Sequence, residues 1–198
     1  MKITRIRTQI VQLPDEEPLA GGPADPQTRR SFVILTLETD AGIEGLGLTF
    51  FGGSLIGALR AAVDALGALA VGEDPLRIEA IVAKLRNAAG MSGPGGIFTL
   101  ALAAIDIALW DIRGKACGVP VARLLGGHRE RVPTYASGAL MRGFPLAHVE
   151  RAAATLVERG FRQMKTQLAL PGDTHPEREV ERIRVIREAV GPEIDLMC

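Results

Sequence analysis

Cysteine, net charge and long apolar runs are what this sequence has least of. Only Cys117 and Cys198 occur in 198 residues, so neither a disulfide framework nor a thiolate metal cluster is indicated. A reducing cytoplasm is the expected location. Basic and acidic residues balance at 23 each, which leaves no broad electrostatic footprint for nucleic acid or an anionic membrane. A small molecule is the expected partner. No stretch reaches the roughly 20 consecutive apolar residues of a membrane span, and the opening MKITRIR lacks an apolar core of signal-peptide length. The chain is therefore expected to be soluble and unexported. His128, His148 and His175 have no partner at metal-ligand spacing and sit near turns or helix starts, so all three are expected as surface or capping residues.

What is present is a globular composition, 47% hydrophobic, with 23 glycines that imply many turns and close backbone approaches. Ile3 to Leu13 and Ser31 to Thr39 read as strands. Between them, Pro14 to Arg30 holds four prolines and Gly21-Gly22, which predicts a long turn-rich loop of the kind that is often functional. Asp40-Ala41-Gly42 reverses the chain into Ile43 to Phe50, an arm expected to be weakened by Gly45 and Gly47. Helices are then expected from a Ser54 cap, from Asp74-Pro75 and, most apolar of all, from about Ile97 to Ala116. Strands followed by a helical group make an α+β domain.

After Arg131 the pattern alternates. Val132 to Ala136 reads as a short strand, Pro145 opens a helix that Gly160 closes, and a helix from Thr174-His175-Pro176 carries Val180, Ile183, Ile186 and Val190 inward. Ile194 to Cys198 opens a third strand. This is parallel α/β logic, an open sheet or the start of a barrel. Within it, Met164, Thr166 and Leu168 alternate with Lys165, Gln167 and Ala169, so one strand face is apolar and the other carries Lys165 and Gln167. An exposed edge strand would explain the lysine. A buried strand would not carry Lys and Gln on one face unless they line a site.

Two passages add a resemblance. Ala103 to Gly127, AAIDIALWDIRGKACGVPVARLLGG, resembles the helix and exit loop that end the N-terminal domain in the mandelate racemase and muconate lactonizing branch of the enolase superfamily. The Lys165 strand and Ile194 to Cys198 resemble that family's second and third barrel strands. The resemblance implies an α+β capping domain, 1–127, followed by the first part of a modified TIM-type (β/α) barrel, 128–198, truncated after three strands. It implies an enzyme that uses Mg²⁺ while a base removes a proton next to a carboxylate, the metal holding the charge that develops on the enediolate oxygens. Lys165 would reach the open end of the barrel. Asp106, Asp111, Arg113 and Lys115 become structural ion pairs and domain contacts, and Trp110 becomes core.

The family's usual motif on this strand is Lys-x-Lys, the second lysine being the base, whereas this chain has Lys165-Thr166-Gln167. An amide cannot take a proton at neutral pH. A one-base loss of water from a sugar acid, as in enzymes resembling mannonate dehydratase, fits better than two-base racemisation. Gln167 would bind a hydroxyl or carboxylate and Lys165 would supply charge or a proton. Arg29 or Arg30 would pair with a distal carboxylate, Phe50 or Phe51 would exclude water, and Tyr135 and Ser137 would donate from the exit of the first barrel strand. No residue present is assigned as a metal ligand; the Mg²⁺ ligands are expected beyond residue 198, and Asp195 matches a variable position. A racemase, epimerase or cycloisomerase is the alternative, and a non-catalytic remnant acting only in assembly is the third. The 198-residue chain by itself is expected to be inactive, and the assembly to be a homo-oligomer.

Overall fold

A computed structural model describes residues 1–15, 25–50, 52–169, 172 and 175–198. The chain divides into two compact units, the first built from Met1–Leu13 and Arg29–Glu130, the second containing Arg131–Cys198.

β1 (Ile3–Asp15), β2 (Asp25–Thr39) and β3 (Glu44–Thr49) lie in that order across one sheet, of which the first unit takes β1 up to Leu13, β2 from Arg29 and all of β3. Two of these strands are longer than the sequence suggests. The proline-bearing segment that reads as a loop from Pro14 to Arg30 is entered by the end of β1 and the start of β2. Pro14 and Pro26 stand next to strand ends, where a missing N–H costs the ladder little. The β2–β3 ladder is antiparallel and begins only at Val33 opposite Thr49, so the early part of β2 has no β3 partner.

Helices α1 (Ile56–Ala68), α2 (Ile78–Ala89), α3 (Gly96–Cys117) and the one-turn α4 (Val121–Leu124) follow. Ser54 does not cap α1; it lies in a short 3-10 turn with no side-chain cap hydrogen bond. Asp74 starts a turn rather than the helix itself. Its Oδ1 accepts from the Leu76 N–H at 3.1 Å and its carbonyl from the Arg77 N–H at 3.0 Å, and α2 begins three residues past Pro75. The apolar centre of the unit joins Leu35 and Leu37 of β2 with Leu59 of α1, Leu85 of α2, and Ile105 and Leu109 of α3, all fully buried.

The glycines of β3 do more than weaken an arm. A Cβ at Gly47 would lie 1.9 Å from the Ala104 carbonyl oxygen, and one at Gly45 would lie 2.2 Å from that of Ala108. The strand backbone therefore rests directly on the α3 backbone, which explains two glycines at alternate positions of one strand face. The same seam is tied by Asp111, whose Oδ2 accepts from the Leu46 N–H at 2.8 Å and from Lys115 Nζ at 2.7 Å, while Lys115 also donates to the Glu44 carbonyl at 2.8 Å.

The second unit is a parallel sheet of β4 (Ala136–Leu140), β5 (Gln163–Thr166) and β6 (Asp195–Met197) in the order β4-β5-β6. Its crossovers are α5 (Leu146–Glu158) and α6 (Pro176–Val190). Val149, Ala153 and Leu156 of α5 pack with Ile186 of α6 and with Ala136, Leu140 and Met164 of the sheet. β4 begins where the sequence-predicted strand ends. Val132 is 74% exposed and Tyr135 44%, whereas Ala136, Ala139 and Leu140 are buried. The β-branched and aromatic residues advertise a strand, but Ala136, Ala139 and Leu140 after them are those that share a core with α5. Val180, expected to point inward, is 54% exposed, and Ile186 is the fully buried residue of α6. No helix among the described residues is long and apolar enough to cross a membrane.

Replacing Gly47 with Ala forces β3 and α3 apart. The expected outcome is a loss of about 1–3 kcal/mol in stability, read as a lower denaturant midpoint with an unchanged slope. An unchanged midpoint would mean that the seam has slack that the packing does not show.

Candidate active site at the carboxyl ends of the parallel strands

Parallel strands flanked by crossover helices place their carboxyl ends on one rim, where ligands bind in such sheets. In β5 the side chains of Met164 and Thr166 are buried while Gln163 and Lys165 are only partly covered, and Gln167 continues that alternation past the strand end. Thr166 faces the packed side because its hydroxyl is satisfied there, donating to the Leu140 carbonyl at 2.9 Å. Ala136 and Met164 are register partners and both are buried. The ladder is irregular between Ala136 and Leu140, where four residues of β4 span two of β5, and Ser137 lies in this irregular part as an exposed residue. Lys165 is also the register partner of Met197 in β6.

Tyr135 is not at the exit of this strand. It precedes β4, at the end opposite Leu140, and Ser137 lies within the strand rather than beyond it. The exit of β4 is Met141 and Arg142, which the four-residue displacement of the strand had hidden. Arg142 Nε donates to Gln167 Oε1 at 3.2 Å and its Nη1 donates to the Ala169 carbonyl at 2.8 Å. Ala169 has φ of +61°, a left-handed backbone unusual for a residue with a Cβ. It is held there from both sides, since its N–H donates to Glu179 Oε1 at 3.1 Å.

Arg182 of α6 completes the rim. Its guanidinium donates to the carbonyls of Met141 at 3.4 Å, Arg142 at 2.9 Å and Phe144 at 2.8 Å. Those carbonyls end a strand and open a turn, so they have no ladder partner, and a fork of donors suits them. Glu179 and Arg182 lie seven and four residues before buried Ile186, on the face of α6 that meets the sheet. Charged residues in register with a buried one were a legible signal; an apolar stripe drawn through Val180 passes over them. Arg142, Phe144, Arg178, Glu179 and Arg182 also line a cavity of about 410 Å³ beside the rim.

His148 departs from its expected surface role. It is half-buried, 4.7 Å from the Phe144 ring centroid in an edge-on arrangement, and its Nε2 is buried without a hydrogen-bond partner among the described residues. Arg29 and Arg30 lie on β2 and are exposed, and Phe50 follows β3 with its ring centroid 5.6 Å from that of Phe32 and tilted by 45°. These three belong to the first unit, and Phe51 lies outside the described residues. Asp106 on α3 has its carboxyl raised above the ordinary value by partial burial and by neighbouring Glu79, against the opposing charge of Arg86. Among the described residues no three His, Cys, Asp or Glu side chains come together as a metal site.

Residues 8–126 match the family model described as mandelate racemase / muconate lactonizing enzyme, N-terminal domain. The chain belongs to that family. D-galactarolactone cycloisomerase of Agrobacterium fabrum is 35% identical over 204 residues, covering 100% of this chain and 51% of the relative. D-mannonate dehydratase of Rhizorhabdus wittichii is 34% identical over 174 residues, covering 87% of this chain and 38% of the relative. The crystal structure of L-talarate/galactarate dehydratase from Salmonella typhimurium, liganded with Mg and L-lyxarohydroxamate, superposes with a TM-score of 0.82 at 29% identity, over 98% of this chain and 50% of that one. This family member spans about half the length of curated relatives that match nearly all of it. Within it, the Asp111–Lys115 pair ties α3 to β3, while Arg113 packs 5.5 Å from the Trp110 ring centroid.

Replacing Arg182 with Met keeps the aliphatic stem but leaves the Arg142 and Phe144 carbonyls without a partner among the described residues, while the Met141 carbonyl retains the Phe144 N–H at 3.0 Å. The expected loss is about 2–3 kcal/mol, with faster amide exchange confined to the rim of the second unit. Exchange that stays as slow as in the parent would show that water replaces the guanidinium without cost.

Proposed function

We propose that this chain is the N-terminal part of an acid-sugar dehydratase, with 1–127 as its capping domain and 128–198 as the first three strands of a β/α barrel. The observation that carries the reading is Lys165-x-Gln167 at the carboxyl end of a parallel strand, in a family whose named relatives include dehydratases of galactarate and mannonate. At this rim Lys165 contributes positive charge or a proton. Gln167 contributes a hydrogen bond to a substrate carboxylate or hydroxyl, and Ser137 a hydroxyl. None of these three serves as a second, opposed base, so removal of one proton followed by loss of the neighbouring hydroxyl is the chemistry that suits them. Arg29 or Arg30 is proposed to pair with a distal carboxylate, and Phe50 or Phe51 to exclude water.

Mg²⁺ is the proposed cofactor, in keeping with the metal in the Salmonella typhimurium structure. Among the described residues no three His, Cys, Asp or Glu side chains are placed to hold it. Self-association into a homo-oligomer is part of the reading. Cycloisomerisation is the second reading, favoured by the Agrobacterium fabrum relative, whose match covers the entire chain.

The test is incubation with Mg²⁺ and galactarate, mannonate or galactarolactone in heavy water, on the 198-residue chain and on a version completed with the barrel strands of a dehydratase relative. The completed protein is expected to yield a 2-keto-3-deoxy acid, and the 198-residue chain to yield nothing. Deuterium exchange without a keto product would replace dehydration by isomerisation, and turnover by the 198-residue chain would overturn the view of it as a part.

A further inference from the structure

The contact between Arg142 and Gln167 decides which way an amide faces. A guanidinium has five N–H donors and no acceptor, so the end of the Gln167 amide that meets Arg142 Nε at 3.2 Å must be its oxygen. The nitrogen end is then turned away from Arg142, and it makes no hydrogen bond among the described residues. Arg142 is itself held at a second point, by the Ala169 carbonyl at 2.8 Å, and the backbone beneath it is held by Arg182. The amide cannot flip without losing a charge-assisted hydrogen bond.

We propose that Arg142 is a positioning residue that locks Gln167 as a hydrogen-bond donor, making this strand end selective for an acceptor-only oxygen, a carboxylate, over a hydroxyl that must donate. The inference rests on the sugar-acid reading above for its ligand and deepens it. An unlocked glutamine offers an acceptor or a donor by rotating its amide, and would take a hydroxyl as readily as a carboxylate. With Arg142 in place, Gln167 Nε2 and Lys165 Nζ make an all-donor pair on one strand face. Such a pair gains most from an anionic oxygen and leaves a hydroxyl proton without an acceptor.

The test uses the 198-residue chain labelled with ¹⁵N and two probes of one carbon skeleton, galactarate and the uncharged galactitol. Before any ligand is added, the Gln167 side-chain NH2 pair is expected at shifts displaced from those of a free glutamine; R142M should return it to the free-glutamine positions, and R142K should keep part of the displacement. Galactarate should shift these signals while galactitol leaves them in place. R142M should weaken galactarate at least about tenfold, close to 1.4 kcal/mol, yet change nothing further in a Q167A background. Q167E, which keeps the Arg142 contact and removes the donor, should bind no better than Q167A.

A Gln167 amide that is unaffected by R142M, in a variant whose spectrum remains dispersed, overturns the proposal. So does Q167E binding galactarate as tightly as the parent, or R142M costing as much with Q167A as without it. A locked amide that R142M releases, with no galactarate bound by any form, supports the positioning role and counts against the sugar-acid reading instead.

Discussion

A guanidinium can only donate, and the rim of the second unit depends on that constraint. Arg182 answers three carbonyls that the end of β4 leaves without ladder partners, and this fixes the turn from which Arg142 projects. Arg142 in turn meets the oxygen of Gln167 and the carbonyl of Ala169. Each arginine satisfies backbone that a parallel sheet exposes where its strands stop, so the groups that finish the fold also orient the groups offered to a ligand. The left-handed Ala169 sits between Arg142 and Glu179 and is held by hydrogen bonds from both its N–H and its carbonyl.

The first unit rests on a different constraint, the distance between two backbones. Gly45 and Gly47 let β3 lie on α3, and the Asp111 carboxylate then reaches the Leu46 N–H across the seam. The long helix that carries the family resemblance is therefore fixed to the sheet by contacts that tolerate no side chain at two strand positions.

Much of this organisation was legible in the chain. Alternation placed Met164 and Thr166 on the packed face and Lys165 and Gln167 on the open one, because burial on one side of a strand imposes a period of two. The long α3 was legible from its apolar content. The start of β4 was not: Val132 and Tyr135 have strand-forming side chains, but Ala136, Ala139 and Leu140 are the ones buried, since burial in the core shared with α5, and not strand propensity, decides where the strand begins. That error hid Arg142 inside a loop. Arg182 was hidden for another reason. Its spacing from Ile186 marks it as facing the sheet, but the apolar stripe drawn through Val180 passes over it, and the carbonyls it meets come from a turn 38 to 41 residues earlier in the chain.

The most direct test of this account is a high-resolution crystal structure of the chain with galactarate bound at the strand ends. The account predicts a carboxylate oxygen accepting from Gln167 Nε2 beside Lys165, with Arg142 still on Gln167 Oε1. A ligand hydroxyl donating into Gln167 Oε1, with Arg142 turned away, would contradict it.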